Sequence, residues 1–264
     1  STFTGRINAR ENLLDFNAEV SQFSFKNIIG TDISLNASGD MQQLSLDGAV
    51  GNVYINDSLH FPGTNFTIKT SNDISDVSII TNSNQSLNMA SLQGKVQTLK
   101  NGVKITFDES VLELKGKQWT IDKNGELTLS EDLILADGIR LHNDRQEIQL
   151  TTIPSDIGNS NDLRIDLKNI YLGDFMPFVL RQQRVEGLLT GNVLIIDPFK
   201  KLAVEIDAEA EQFRFENDSI GILKLSGYYD HRRKNISFNS QSDNDQYHFN
   251  LFGEYQLKDS TNAE

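Results

Sequence analysis

The sequence predicts an all-β protein built as a long antiparallel sheet, with one short helix. Three observations predict it. Apolar residues recur at every second position through most of the chain, the connections are short and rich in Asn, Asp and Gly, and one strand-bend-strand phrase is written twice.

The repeated phrase is VSQFSFKNIIGTDISLNASGD at 20–40 and EQFRFENDSIGILKLSGYYD at 211–230. Gln22, Phe23, Phe25, Asn27 and Gly30 answer to Gln212, Phe213, Phe215, Asn217 and Gly221, with one residue inserted before the second glycine. Both copies then alternate, Ile33 and Leu35 in one, Leu223 and Leu225 in the other, up to Gly39 or Gly227. A supersecondary unit used more than once points to an elongated architecture.

The period of two runs well beyond the repeat. Phe16, Ala18 and Val20 alternate with Asn17 and Glu19. Val103, Ile105 and Phe107 do so with Lys104 and Thr106, Leu163, Ile165 and Leu167 with polar neighbours, and Tyr247, Phe249 and Leu251 with His248 and Asn250. Strands of this kind carry one oily face and one wet face. Asn101-Gly102, Asn124-Gly125 and Asp137-Gly138 offer the positive φ that tight two-residue hairpins require, so neighbouring strands are expected to be antiparallel. A parallel β-helix would need one-way coils and a more regular repeat.

One helical interruption is expected in YLGDFMPFVLRQQRVEG, 171–187, centred near 173–182. Asp174 can cap it, Pro177 is tolerable in a first turn, and Phe175, Phe178 and Val179 share a side, followed by Arg181 and Arg184. The organisation expected along the chain is a first β-groove section at 1–152, a turn-rich break at 153–161 (IPSDIGNSN), a second groove section at 162–258 and a polar tail at 259–264.

Composition bounds the function. The chain has 264 residues, 38% of them hydrophobic, so a thick core is not evident. The net charge of −13 opposes binding to nucleic acid and to anionic membrane surfaces. There is no cysteine, hence no disulfide or thiolate chemistry. No apolar run of about 18 residues and no charged start leading into an apolar core is present. The pattern is already under way at Phe3, which reads as an excised fragment. Roughly 20 strands at about 4.8 Å would make a sheet on the order of 95 Å wide, and open sheets of that width are rare unless they curl or fold over. With almost no helix to cover it, the oily face must meet another sheet or something that is not protein.

Three stretches, 161–179, 185–197 and 201–238, resemble the TamB and AsmA-like family of double-membrane bacteria. The cycle is an alternating strand, a short turn or helix near a proline, a G-x-L-x-G strand at Gly187, Leu189 and Gly191, then the hairpin of Phe213, Phe215, Gly221, Leu223, Leu225 and Gly227. The likeness is best over 161–238 and recurs weakly in the first 50 residues, while 72–146 reads only as generic strands. The resemblance implies a long curled antiparallel sheet forming a taco-like hydrophobic groove, which carries phospholipid acyl chains between inner and outer membranes. It also implies a periplasmic location, an inner-membrane anchor outside this sequence, and an outer membrane barrel protein of the assembly family as partner.

On that reading the groove is lined by Phe23, Phe25, Ile33, Leu35, Val103, Ile105 and Phe107, by Leu163, Ile165, Leu167, Val204 and Ile206, and by Phe213, Phe215, Leu223, Leu225, Phe249 and Leu251. Each methylene moved from water onto such a surface gains roughly 0.8 kcal/mol, so a row of these side chains could hold a lipid tail without a specific pocket. Glutamate in place of Phe213, Leu223 or Leu225 is then expected to block lipid and leave a folded chain.

Catalytic alternatives find little support. His60, His142, His231 and His248 form no H-E-x-x-H or close metal pair, and no G-x-S-x-G elbow or phosphate-binding loop occurs. SDNDQ at 242–246 lacks the glycine and distal glutamate of a calcium loop and reads as a solvated turn. Asn143, Asp144 and Glu147, like Asp108 and Glu109 beside Glu113, read as chance spacing in a chain with 37 acids. Trp119, the single tryptophan, reads as sheet core. No enzyme, cofactor or metal is expected. The alternative is a closed β-sandwich for adhesion or carbohydrate binding; a transmembrane barrel would need longer lipid-facing strands and aromatic girdles.

Overall fold

The computed structural model describes the chain apart from Ala9, Asn27, Met41, 56–58, 83–86, 156–160, 177–182, Asp245 and 258–264; Leu59, Leu87 and Asn88 are described in backbone only. The fold is nearly all β. Twenty strands and one short helix are present among the described residues, and every assigned strand pair is antiparallel. The chain divides into two units, Ser1–Glu126 and Leu127–Glu264.

In the first unit β1 (Thr2–Asn8), β2 (Leu13–Phe25), β3 (Ile28–Gly39), β4 (Gln43–Ile55), β5 (Leu59–Ser71), β6 (Ile74–Asn82) and β7 (Leu87–Leu99) form an open meander, each paired with the next. The far edge of β7 is shared by β8 (Gly102–Phe107) and β9 (Ser110–Leu114), and β10 (Lys117–Ile121) pairs with β9. β11 (Glu126–Ser130) crosses the boundary between the units. In the second unit β12 (Ile134–Asp137) and β13 (Ile139–Asn143) precede a meander of β14 (Gln146–Pro154), β15 (Asn161–Tyr171), β16 (Val185–Ile196), β17 (Ala203–Phe215), β18 (Asp218–Asp230), β19 (Asn235–Asp243) and β20 (His248–Gln256). The pairing of β14 with β15 runs to Pro154 opposite Asn161, at the two borders of the turn-rich stretch whose middle lies outside the described residues.

The antiparallel expectation holds, but the turns expected to produce it are different ones. Asn101 and Gly102 have no positive φ, and Gly102 already pairs with Leu99, so the loop is Lys100-Asn101. Asn124 (φ 69°) lies in a wider connection that bonds to Phe107. Gly138 (φ 60°) interrupts β12 and β13, which both lie beside β14, and makes no hairpin. The tight loops are carried instead by Asn72-Asp73 (φ 50° and 63°), Lys115-Gly116 (48° and 76°), Lys26 (52°), Asp144 (55°) and Glu216 (53°). Asn and Asp tolerate the left-handed region at modest cost, which is why they can replace glycine there.

The phrase written twice is the same hairpin used twice. β2–β3 closes on Phe25 opposite Ile28, and β17–β18 closes on Phe215 opposite Asp218, each around a two-residue loop whose first residue is left-handed. Each hairpin also contains a left-handed residue inside a strand, Asp32 in β3 and Gln212 in β17. At Gln212 the β17 strand bulges between Ala210 and Phe213, which shifts the alternation by one and returns Phe213 to the face of Ala210. Its neighbours bulge in step. Gly187 in β16 has φ 140°, and a Cβ there would meet Glu211 O at 3.1 Å and Phe213 Cα at 3.2 Å. Gly221 in β18 has φ 88°.

Little is fully buried. Among the described residues thirteen apolar side chains are buried, and seven of these are alanines: Ala18, Ala37, Ala90, Ala136, Ala203, Ala208 and Ala210. Trp119 is completely enclosed, as expected. A sheet covered by a second layer would bury its Leu, Ile, Val and Phe first. The closed sandwich is therefore not what either unit forms.

The helix is shorter than expected. α1 spans Leu172–Phe175, Met176 follows as one 3₁₀ residue, and 177–182, where Pro177, Phe178, Val179 and Arg181 were expected to continue it, lie outside the described residues. Asp174 does not cap it: Tyr171 is the N-cap and makes no side-chain capping bond to the helix, and Asp174 is buried inside the turn. Leu172 joins Val185 and Ala210 in a buried cluster against which Met176, Leu189, Phe213 and Leu223 pack.

Candidate functional site

In an antiparallel ladder, directly opposed residues share a face, so strand register converts the period of two into continuous rows. In the second unit one row runs through Leu150, Ile165, Val193, Ile206, Gly227 and Phe238. A second runs through Leu163, Ile195, Val204, Tyr229 and Ile236. A third holds Leu167, Gly191, Ala208, Leu225, Ser240 and Leu251, and a fourth Leu189, Ala210, Leu223, Ser242 and Phe249. Four adjacent rows across as many as six strands thus form one apolar face.

The structure places the expected lining residues as follows. Leu163 is buried; Ile165, Leu167, Val204, Ile206, Phe213, Leu223, Leu225 and Phe249 are half-buried; Phe215 and Leu251 are exposed. All but Phe213 and Phe215 fall in the four rows, and Phe213 joins them through the bulge at Gln212. In the first unit Phe107 shares a row with Gly94, Val77, Ile68, Leu46, Ala37 and Phe16, and Leu35 shares one with Ala18, Gly48 and Phe66. Ile33 and Val20 form the next row with Val50, and Ile105 stands opposite Val96 and Val103 opposite Thr98. Ile33, Leu35, Val103, Ile105 and Phe107 are half-buried, whereas Phe23 and Phe25 at the end of the hairpin are exposed. Sequence reasoning missed Val193, Ile195, Leu189, Ile148 and Leu150, which sit in or beside the same rows. Their alternation was visible in VEGLLTGNVLII and QEIQLTTIP.

The opposite face is polar. Asp166, Asn192, Asp207, Ser226 and Asn239 form one of its rows. Short ion pairs stud it: Arg140–Glu147 and Arg164–Asp166 at 2.8 Å, and Arg184–Glu186 at 2.7 Å. Hydrogen bonding from Arg184 holds the Glu186 carboxyl below its ordinary value, and that same bond raises the guanidinium. These pairs are solvated, so each adds little stability. A recess of about 670 Å³ opens on this face, lined by Asn192, Glu205, Asp207, Ser226, Tyr228 and Phe252 among others, without a basic side chain.

The histidine pairs lie toward solvent. His248 Nδ1 lies 2.8 Å from Asp243 Oδ1, but both side chains stand about four-fifths in water, 79% and 83%. Tyr229 Oη is 3.0 Å from Nδ1 of the exposed His231. In the SDNDQ stretch Asn244 serves the fold, since its amide donates to Ile220 O at 2.8 Å and braces the bulge at Gly221. Among the described residues no group of three or more His, Cys, Asp or Glu is placed to hold a metal ion, and no helix is long and apolar enough to cross a membrane.

No family model, curated protein or solved structure matches the chain.

Proposed function

We propose that each unit is a section of a lipid-binding β-groove, in the manner of the TamB and AsmA-like family, holding phospholipid acyl chains on its apolar rows while head groups stay in water. In that role it would belong to an envelope-spanning periplasmic protein, anchored in the inner membrane by a segment outside this sequence and meeting a barrel protein at the outer membrane. The observation that carries the reading is the half-open apolar face. Ile206, Leu223 and Leu225 stand in unbroken rows, yet none reaches the burial that a second protein layer would impose.

An acyl chain is a fitting guest for such a surface. Ten methylenes shielded on one side would gain on the order of 4 kcal/mol at about 0.8 kcal/mol for each fully buried methylene. Neighbouring rows offer similar side chains, so no position is a deep trap. The carboxylates of the polar face keep the exterior soluble and add no affinity for phosphate head groups.

Organic extraction and native mass spectrometry of the purified chain test the reading. Phospholipid recovered with the folded protein, and displaced by an apolar dye, is the expected result. A lipid-free protein that also fails to bind the dye would sink it.

A further inference from the structure

The alternation of oily and wet faces breaks down at the hairpin end of β2, β3 and β4. Phe23 is opposite Gly30, which is opposite Val53, and Phe25 is opposite Ile28, which is opposite Ile55. The row between these two points to the other side of the sheet, and it reads Ser24, Ile29, Tyr54 and His60, the last two rings stacked with centroids 4.5 Å apart. The left-handed Asp32 reverses the phase here: a Cβ on Gly30 would meet Ile33 Cδ1 at 3.3 Å and Val50 Cγ1 at 3.5 Å, so the Phe23 row continues the apolar face and the row beside it belongs to the side that farther along reads Asn17, Asn36, Asp47 and Thr67. At the tip, therefore, both faces are apolar. The exposures are large: Phe23 55%, Phe25 57%, Ile28 39%, Ile29 37% and Tyr54 38%.

The twin hairpin in the second unit serves as an internal comparison. Its corresponding row keeps Arg214 opposite Ser219 and Glu186, and its loop begins with Glu216 and is followed by Asp218. The first tip carries a single charge over 20–31, Lys26, whose ammonium lies 5.5 Å from the centroid of the Phe25 ring. In sequence the adjoining stretch 52–61 carries one acid, Asp57, which lies outside the described residues, so the stretches 20–31 and 52–61 together sum to no net charge in a chain of net charge −13.

We propose that this tip is a membrane-contacting lip that inserts into the boundary between head groups and acyl chains of a phospholipid bilayer. A segment immersed in an apolar medium needs hydrocarbon on both faces, which a sheet in water does not. Aromatic rings with a lysine able to reach up to the head groups suit that depth. Size argues against a protein partner. Five side chains of roughly 200 Å² each, about half exposed, offer on the order of 500 Å², well short of the ~800 Å² a partner contributes to a standard protein interface. Because the tip is neutral, insertion is driven by apolar burial and not by attraction to anionic lipid. The lip can touch a bilayer whether or not the apolar rows carry lipid, so the inference stands apart from the groove reading.

Flotation of the full chain with phosphatidylcholine vesicles tests it. The wild-type chain is expected to float, and to do so equally at about 1 M salt, where surface charges are screened. Phe25→Ser combined with Ile28→Ser is expected to lower the partition at least about tenfold, each lost side chain being worth roughly 1.5–3 kcal/mol when fully buried. Ile222→Ser, at an exposed apolar position of β18 in the twin hairpin, leaves it unchanged. Ile28→Trp supplies a reading that survives any loss of stability in the double variant. Its emission should shift to the blue on adding vesicles, over a constant background from the enclosed Trp119. Failure of the wild type to float, equal flotation of the double variant, an unshifted tryptophan, or binding confined to anionic vesicles and released by salt each overturns the proposal.

Discussion

Leu223 on β18 stands directly opposite Ala210 on β17, and both meet the cluster that α1 covers, whereas Leu225, two positions along the same face, lies outside it. The difference separates substitutions that the sequence pattern alone treats as equal. Glutamate at 223 would face Leu172, Val185 and Met176 with no cationic partner among the cluster's residues, and is expected to cost about 2–4 kcal/mol. Glutamate at 225 keeps access to water and is expected to cost under about 1 kcal/mol. Thermal melts should show a drop of roughly 5–10 °C for Leu223→Glu and little change for Leu225→Glu. Binding of an apolar dye should fall in both. Phe213→Glu belongs with Leu223→Glu, because Phe213 touches the same cluster; equal melts for all three would remove the distinction.

Gly221 and Asn244 act as one device. The left-handed backbone at Gly221 presents the carbonyl of Ile220 to the Asn244 amide at 2.8 Å, and a Cβ on Gly221 would come within 2.5 Å of that same amide nitrogen. Gly221→Ala is expected to destabilise by roughly 2–3 kcal/mol, combining left-handed strain with the displaced amide. Asn244→Ala removes only the hydrogen bond, about 1 kcal/mol. The double variant should cost less than the sum, because the alanine at 221 has already displaced the amide. Urea midpoints in a double-mutant cycle measure the coupling, and strict additivity would show that the two residues act independently.

Asp230 predicts the response to acid. Its Oδ1 accepts the backbone N–H of Arg232 at 2.9 Å and of Arg233 at 3.0 Å in the β18–β19 turn. The Arg233 N–H chiefly, then that of Arg232, holds the carboxyl below its ordinary value against the opposing effect of burial. A carboxylate depressed in the folded state stabilises fully above its unfolded value of about 4, and the contribution is lost as pH falls through the lower folded value. Asp230→Asn keeps an acceptor oxygen and has nothing to titrate. Its melting temperature should fall less steeply than wild type below about pH 4, with the two profiles parallel at neutral pH. Glu186, depressed mainly by its hydrogen bond from Arg184, titrates in the same direction, so Glu186→Gln should flatten the same limb further. Profiles that stay superimposed down to acid pH would contradict both assignments.

The parts of this fold that the sequence exposes are those governed by local alternation. Leu163, Ile165 and Leu167, or Leu223 and Leu225, announce an oily face because a strand reverses its side chains at every residue. Which strands stand together is not local. The rows that unite Ile165 with Val193 and Ile206 depend on register across three strands, and β14 and β16 were accordingly left out of the expected lining. Turn identity was obscured for a different reason: Asn72-Asp73 and Lys115-Gly116 make the tight loops, while the conspicuous Asn101-Gly102 is split between a loop and the start of β8 and Gly138 separates β12 from β13. The lip at Phe23, Phe25, Ile28, Ile29 and Tyr54 was legible only as a hairpin, since its two-sided apolar character appears when Tyr54 of β4 is set against Ile29 of β3.

Gln212 provides the last test, because the repeat depends on a residue in an unfavourable conformation. Its φ of 51° places a side chain in the left-handed region inside β17, and the resulting bulge sets Phe213 on the cluster beside Ala210 and Leu223. Glycine adopts that backbone without strain, so Gln212→Gly is expected to stabilise by up to about 1 kcal/mol, after the extra freedom it gives the unfolded chain. Valine, branched at Cβ, is the least tolerant residue there, and Gln212→Val should lose roughly 2 kcal/mol or more. If β17 escapes the strain by straightening, Phe213 turns to the polar face and the cluster under α1 loses a ring, which again lowers stability. Urea midpoints should therefore rank glycine above glutamine above valine. A valine variant as stable as wild type would mean that the bulge, and with it the phase shift shared by the two hairpins, is not what positions Phe213.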